Sequence, residues 1–155
     1  MSTWLAIDVG TMVVGVALGN TLTLSARPLQ SVQAAPRERC FELIDKIIKD
    51  WQPEGIVVGL PLALDGSEQR LTLLARNFAA DLAARTRAQI VLVDERSSTK
   101  QAQRLFQEKR AQGQAKRKHG EQVDAWAAAV ILERHFATLD VSLALRHAQG
   151  ERIAS

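Results

Sequence analysis

Trp4-Leu5-Ala6-Ile7-Asp8-Val9-Gly10-Thr11-Met12-Val13-Val14-Gly15-Val16-Ala17-Leu18 is the stretch on which the reading of the fold turns. Two β-branched, apolar runs, 4–9 and 13–18, are separated by three residues, which is the pattern of a β-hairpin. Gly10 is expected to supply a positive φ at the turn. Trp4, Ala6 and Asp8 fall on one face of the first strand, because side chains alternate along a strand. Asp8 is therefore a carboxylate on an otherwise apolar face.

Working outward, a third short strand is expected within 23–32. Pro36 fits the first turn of a helix over 36–51. Cys40, Phe41, Ile44, Ile47, Ile48 and Trp51 form the inward stripe of that helix, and Pro53 stops it. Ile56-Val57-Val58-Gly59-Leu60 is a continuous apolar run of strand length, the mark of a buried parallel strand. Asp65-Gly66 closes a turn, and Ser67 is a candidate cap for a helix with Leu71, Leu74, Phe78 and Leu82 on its apolar face. Ile90–Val93 reads as a second buried strand. A helix follows from Ser98 or Thr99 to near Gly113, then a Gly/Lys/Gln loop over 112–120. The last helix spans 121–136, where Ala127-Ala128-Ala129 allows a close approach to the sheet. The order β-β-β-α-β-α-β-α-α implies an α/β domain over residues 1–138. Its mixed five-stranded sheet begins with antiparallel hairpins, continues with parallel strands joined by right-handed crossovers, and is flanked by helices. Residues 139–155 are weakly patterned and are expected to form a loosely ordered tail.

The chain has 155 residues, 46% hydrophobic and 24% charged, which suits one globular domain and excludes a wholly disordered chain. No apolar run approaches the ~20 residues of a membrane-spanning helix. The start carries neither a basic stretch nor a cleavage site, so a cytoplasmic location is expected. The single Cys40 excludes an internal disulfide and a cysteine zinc cluster, and its place in the apolar stripe makes it core. Trp4, Trp51 and Trp126 read as packing residues. The net charge of +3 is unevenly spread. Between Arg96 and Lys118 there are eight basic residues and one acid, a charge of +7, which leaves −4 on the remainder. That asymmetry points to a polyanion, although a solvated helix face would show it too.

Three acids stand at element ends: Asp8, Glu95 and Asp124. Burying a lone carboxylate costs several kcal/mol, and a divalent cation offsets that cost for several at once. Sites in parallel α/β sheets gather at the carboxyl ends of strands. Three carboxylates without histidine or cysteine suit Mg²⁺ or Mn²⁺, and two such ions activate water and stabilise a leaving oxygen in phosphodiester cleavage. Taken singly, each acid also has a structural reading: Asp8 in a turn, Glu95 in an ion pair, Asp124 at the positive end of a helix.

The chain resembles the YqgF (RuvX) family. The resemblance rests on Ala6-Ile7-Asp8-Val9-Gly10-Thr11 with Gly15-Val16-Ala17, then Ile56–Pro61 with Asp65-Gly66. It continues in Asp94-Glu95-Arg96 with Ser98-Thr99, and in Val123-Asp124-Ala125 through Ile131-Leu132. These motifs occur in the family's order over residues 4–136. The resemblance implies an RNase H-like fold and a metal-dependent nuclease with Asp8, Glu95 and Asp124 as catalytic and metal-binding acids. It implies processing of the 5′ end of pre-16S ribosomal RNA, or resolution of Holliday junctions by analogy with RuvC. Arg96 would lie near the scissile phosphate. Lys100, Lys116, Arg117 and Lys118 would hold the backbone, and Thr11 would offer a hydroxyl to a phosphate. Met12 stands where the family usually has a basic residue, and Ser97 where Leu is common. Expected partners are pre-ribosomal RNA or branched DNA and the ribosome or its small-subunit precursor, with the chain a monomer or weak homodimer. A non-catalytic RNA-binding assembly factor is the competing function. An ATP-binding kinase-like protein would need a second lobe.

Overall fold

The computed structural model describes residues 2–94 and 123–139. The amino-terminal hairpin forms as its sequence demands. Strand β1 (Thr3–Val9) pairs antiparallel with β2 (Val13–Asn20), which pairs antiparallel with β3 (Ser25–Gln33). Helix α1 (Arg37–Trp51) follows, and then β4 (Gly55–Leu60), helix α2 (Arg70–Arg85) and β5 (Gln89–Asp94). Strand β4 lies parallel to both β1 and β5. The sheet order is β3-β2-β1-β4-β5, so antiparallel pairing on one side gives way to parallel pairing on the other. Residues 123–139 are helical and are labelled α3.

The two faces of the sheet have different chemistry. Leu5, Ile7 and Val9 of β1 join Val58, Phe41, Ile44, Phe78 and Leu82 in an aliphatic and aromatic core beneath α1 and α2. The stacked rings of Phe41 and Phe78, 4.7 Å apart, join the two helices. On the opposite face Trp4, Ala6, Ala17 and Val57 pack against Ala128, Ile131, Leu132 and Phe136 of α3. Small residues on β2 let α3 come close: a Cβ on Gly19 would lie 2.9 Å from the Phe136 ring. Two consecutive α3 residues tie it across the sheet. The Ala26 amide of β3 donates to Glu133 Oε1 (3.3 Å), and Arg134 Nη1 donates to the Asp94 carbonyl of β5 (2.8 Å).

Several local expectations are corrected. Gly10 does not adopt a positive φ; among the described glycines only Gly66 does, at 88°. Gly10 is required instead by crowding, since its amide donates to the Val13 carbonyl (3.0 Å) and a Cβ there would lie 2.6 Å from that oxygen. Pro36 precedes α1 in an extended conformation rather than opening its first turn, and the helix ends at Gln52 in the left-handed region. Ser67 does not cap α2. The helix begins after Gln69, whose amide donates to Thr72 Oγ1 (3.0 Å), and the buried Thr72 hydroxyl donates to the Pro61 carbonyl. Among the described residues β5 is the edge strand of the sheet, with Leu92 40% exposed, rather than a buried one. Trp51 is likewise half-exposed, with the Arg27 guanidinium 5.9 Å from its ring centre. Cys40 is buried as expected, and burial raises its thiol pKa. The expected helix from 98 to 113 and the loop over 112–120 lie outside the described residues, as does the expected tail over 139–155 except Leu139, which belongs to α3. Among the described residues no helix is long and apolar enough to cross a membrane.

Candidate active site

Asp8 is the last residue of β1 on the α3 face, after Trp4 and Ala6. It is half-buried and is engaged by a partner in the folded chain. In the β1–β2 ladder its direct opposite is Gly15, and such Cα pairs lie ~4.5–5.5 Å apart. Gly15 is also where α3 reaches the sheet. A Cβ on Gly15 would lie 2.1 Å from the Asp124 carbonyl oxygen and 2.8 Å from the Ala125 amide. One glycine thus has Asp8 as its cross-strand partner and Asp124 directly above it. The chain brings these two acids, 116 positions apart in sequence, to one face at one end of the sheet.

Burial raises the pKa of the Asp124 carboxyl, with desolvation as the cause. No described lysine, arginine or histidine forms an ion pair with it. A carboxylate held in that way is stabilised by a cation, and the donors available are hard oxygens, which fits Mg²⁺ or Mn²⁺. Among the described residues no group of three or more His, Cys, Asp or Glu converges, so the described part of the site is a pair of acids. Glu95 lies outside the described residues. Its chain neighbour Asp94 ends β5 opposite Leu60, at the same carboxyl end of the sheet as Asp8, and Arg134 holds the Asp94 carbonyl there.

The structure places Thr11 exposed in the β1–β2 turn, three residues beyond Asp8. Arg96, Lys100, Lys116, Arg117 and Lys118 lie outside the described residues. Both anchors of the segment that contains them, Asp94 and Asp124, sit at the carboxyl end of the sheet. The described chain therefore stops and resumes at that end of the sheet.

A groove of about 630 Å³ was not foreseen. It runs from Thr11 along the start of α2, where Arg70, Leu71, Leu73, Leu74 and Asn77 line it. Of the expected inner face Leu71, Leu74, Phe78 and Leu82, Phe78 and Leu82 are buried, Leu74 packs partly against the core and Leu71 is half-buried, while Thr72, Ala75 and Ala79 complete the buried face. Leu73, outside that face, is 56% exposed. An excess of leucines over what one buried face can hold was the signal available in the sequence.

Comparison with known proteins follows the same lines. A family model described as "RuvX: Holliday junction resolvase" matches residues 2–138. A protein of Klebsiella pneumoniae (strain 342) named "Putative pre-16S rRNA nuclease" is 44% identical over 135 residues, 86% of this chain and 95% of that protein. A namesake from Bordetella parapertussis is 44% identical over 137 residues, covering 88% and 95%. One from Edwardsiella ictaluri is 48% identical over 135 residues, covering 86% and 94%. Among solved structures, RuvC of Thermus thermophilus in complex with a Holliday junction substrate superposes with a TM-score of 0.52 at 20% identity, over 89% of this chain and 95% of that one. The Fowlpox virus resolvase bound to Holliday junction DNA gives 0.59 at 9% identity, over 88% and 98%. At those identities the likeness shows the fold, which is RNase H-like.

Proposed function

The chain belongs to the RuvX family, and from that membership we propose that it is a nuclease that trims the 5′ end of pre-16S ribosomal RNA in the cytoplasm. It hydrolyses phosphodiester bonds of nucleic acid. The observation that carries the site assignment is the placement of Asp8 and Asp124 on either side of Gly15. Glu95 completes the acidic set in this reading. Asp8, Glu95 and Asp124 would hold Mg²⁺ or Mn²⁺, two ions in this reading. The ions, when bound, supply Lewis-acid stabilisation of the charge that develops on the phosphate and lower the pKa of the attacking water.

The remaining work belongs to side chains. Asp124 must be ionised to serve, its burial opposes ionisation in the free protein, and a bound cation would offset that cost. Arg96 offers a bidentate donor pair to the phosphate undergoing attack. Lys100, Lys116, Arg117 and Lys118 hold the flanking backbone with little regard to sequence. Thr11 donates its hydroxyl to a phosphate oxygen beside the acids. The Arg134 tether keeps α3 in register with the end of β5 and the Glu133 tether holds α3 to β3, which matters because a displacement of ~1 Å at such a site costs ~100-fold in rate.

The test is a cleavage assay with Mn²⁺ or Mg²⁺, comparing the wild type with Asp8→Asn on a precursor ribosomal RNA fragment, a single-stranded RNA and a four-way DNA junction. Cutting of the precursor that Asp8→Asn abolishes is the expected result. Full activity in Asp8→Asn overturns the site. A second reading, resolution of Holliday junctions, has the family description and the two resolvase folds in its favour. A resolvase cuts two strands symmetrically and so requires a two-fold dimer. Paired symmetric cuts in the junction, with none in RNA, would select it. Binding of RNA with no cleavage of any substrate would point to the assembly-factor role.

A further inference from the structure

We propose that the groove between the β1–β2 turn and α2 is a nucleotide subsite: it takes an unpaired base of the substrate strand a few nucleotides from the bond that is cut. The inference rests on the nuclease reading above and extends it to residues outside the acidic site.

Position is the first argument. Thr11 belongs both to the groove and to the turn that follows Asp8. Three residues of chain span at most ~10 Å, which is about three stacked nucleotides at ~3.4 Å each along one strand. The groove opens on the α2 side of the sheet and the acids on the α3 side, so a strand that crosses the acids reaches the groove around the β1–β2 turn, at the end of the sheet both share.

Chemistry is the second. The wall is formed by Leu71, Leu73 and Leu74, while Arg70, Asn77 and Thr11 stand at its rim. Among the described residues the side chains of Arg70, Asn77 and Thr11 make no hydrogen bond or ion pair, whereas the neighbouring Arg76 and Arg85 of the same helix are paired with Glu68 and Asp45. Arg70 is thus an unneutralised cation beside an apolar wall. At Thr11 and Leu74 the groove meets a smaller recess of about 140 Å³, walled in part by Cys40, Phe41 and Phe78. A groove of this size falls in the range of ~300–1,000 Å³ typical of small-molecule sites.

One nucleotide meets all these groups together. Its phosphate pairs with Arg70, its base edge bonds the Asn77 amide, and its flat apolar face covers the leucines. A purely apolar occupant would bury Arg70 and Asn77 without partners, at a cost in free energy. The base must be unpaired to present its face, which favours single-stranded over duplex substrate at this position.

The test uses the full-length protein with a chelator present, so that no cleavage occurs, and a short fluorescein-labelled single-stranded RNA beside an abasic ribose-phosphate chain of equal length. Fluorescence anisotropy gives both affinities. The wild type is expected to prefer the RNA by at least about fivefold. Leu73→Gln with Asn77→Ala should bring that ratio close to one while the abasic chain binds as before. Arg70→Gln should weaken both and lower the salt slope by ~0.7. Circular dichroism melting confirms that the variants fold, and these positions are exposed enough to tolerate change. A ratio left unchanged in the double variant overturns the subsite and leaves the acid-dependent nuclease standing. Loss of cleavage in Asp8→Asn with an intact ratio supports both. A wild type that binds neither chain overturns the subsite outright. So would Leu73→Gln that leaves RNA binding alone but turns a dimer into a monomer in sedimentation, because the groove would then be a contact between copies.

Discussion

His135 shows how much one side chain can commit. It stands on the α3 face against Trp4, with ring centres 4.9 Å apart, and Phe136 adjoins it. Its Nε2 is buried and has no hydrogen-bond partner among the described residues. Burial therefore lowers its pKa below the usual imidazole value. Above ~6.5 the ring is neutral in both folded and unfolded chains, and pH has no leverage through it. As pH falls below that value the unfolded chain takes up a proton that the folded chain resists, so stability is lost on the way down to the depressed folded pKa. His135→Phe keeps the ring contact with Trp4 and removes the titration. Its melting temperature is expected to vary less between pH 7 and pH 5 than that of the wild type, which thermal unfolding across that range would read directly. A parallel decline in both proteins would assign the acid sensitivity elsewhere. The position is remote from Asp8, which stands at the opposite end of β1 from Trp4, so cleavage at neutral pH should be retained.

At the scale of elements, the contact of α3 with β2 decides where Asp124 sits. Gly15 and Gly19 share a face of β2, and each receives α3, but with different partners. At Gly15 a Cβ would enter the helix backbone at Asp124, which cannot move without carrying its carboxylate along. At Gly19 the close neighbours are the Ser25 carbonyl at 2.6 Å and the Phe136 ring, far from the acids. Gly15→Ala is expected to cost ~1–3 kcal/mol in stability and ~100-fold or more in cleavage. Gly19→Ala should cost comparable stability and keep most of its cleavage below its melting temperature. Denaturant unfolding beside single-turnover cleavage separates the two, and equal losses of cleavage would refute the role of Gly15 as spacer. These elements differ in how far the sequence reveals them. The hairpin, the buried β4 and the stripe of α1 follow from alternation and helical period within a single segment. The roles of Gly10 and Gly15, the Gln69–Thr72 start of α2 and the exposed edge at β5 depend on which segment lies alongside, and no local pattern encodes that. Asp8 and Asp124 stood out because a carboxylate on an apolar face is anomalous wherever its partner lies. Arg70 and Asn77 stood out in no way, being ordinary polar residues on a helix until the turn at Thr11 is placed beside them.

For the whole molecule, the topology gathers the ends of several elements at one end of the sheet. The parallel half of the sheet directs the ends of β1, β4 and β5 the same way, and α3 starts at that end over Gly15. The segment of +7 between Arg96 and Lys118 lies between Asp94 and Asp124, both fixed there, while the remainder of the chain carries −4. In the proposed reading an acidic site would repel a polyanion unless basic groups outweighed it, and the sequence between the two anchors supplies that positive charge. The consequence can be measured through salt. Each phosphate neutralised on a single strand contributes ~0.7 to the slope of log affinity against log salt. Replacing Lys116, Arg117 and Lys118 with Gln should flatten that slope by about 2, weaken RNA binding by a similar factor whatever the sequence, and leave the preference for bases over an abasic chain intact. Fluorescence anisotropy across a salt series on the wild type and the triple variant gives all three quantities. An unchanged slope would mean that these three charges face solvent and that the phosphate grip lies with Arg96, Lys100 and the other basic residues of the segment.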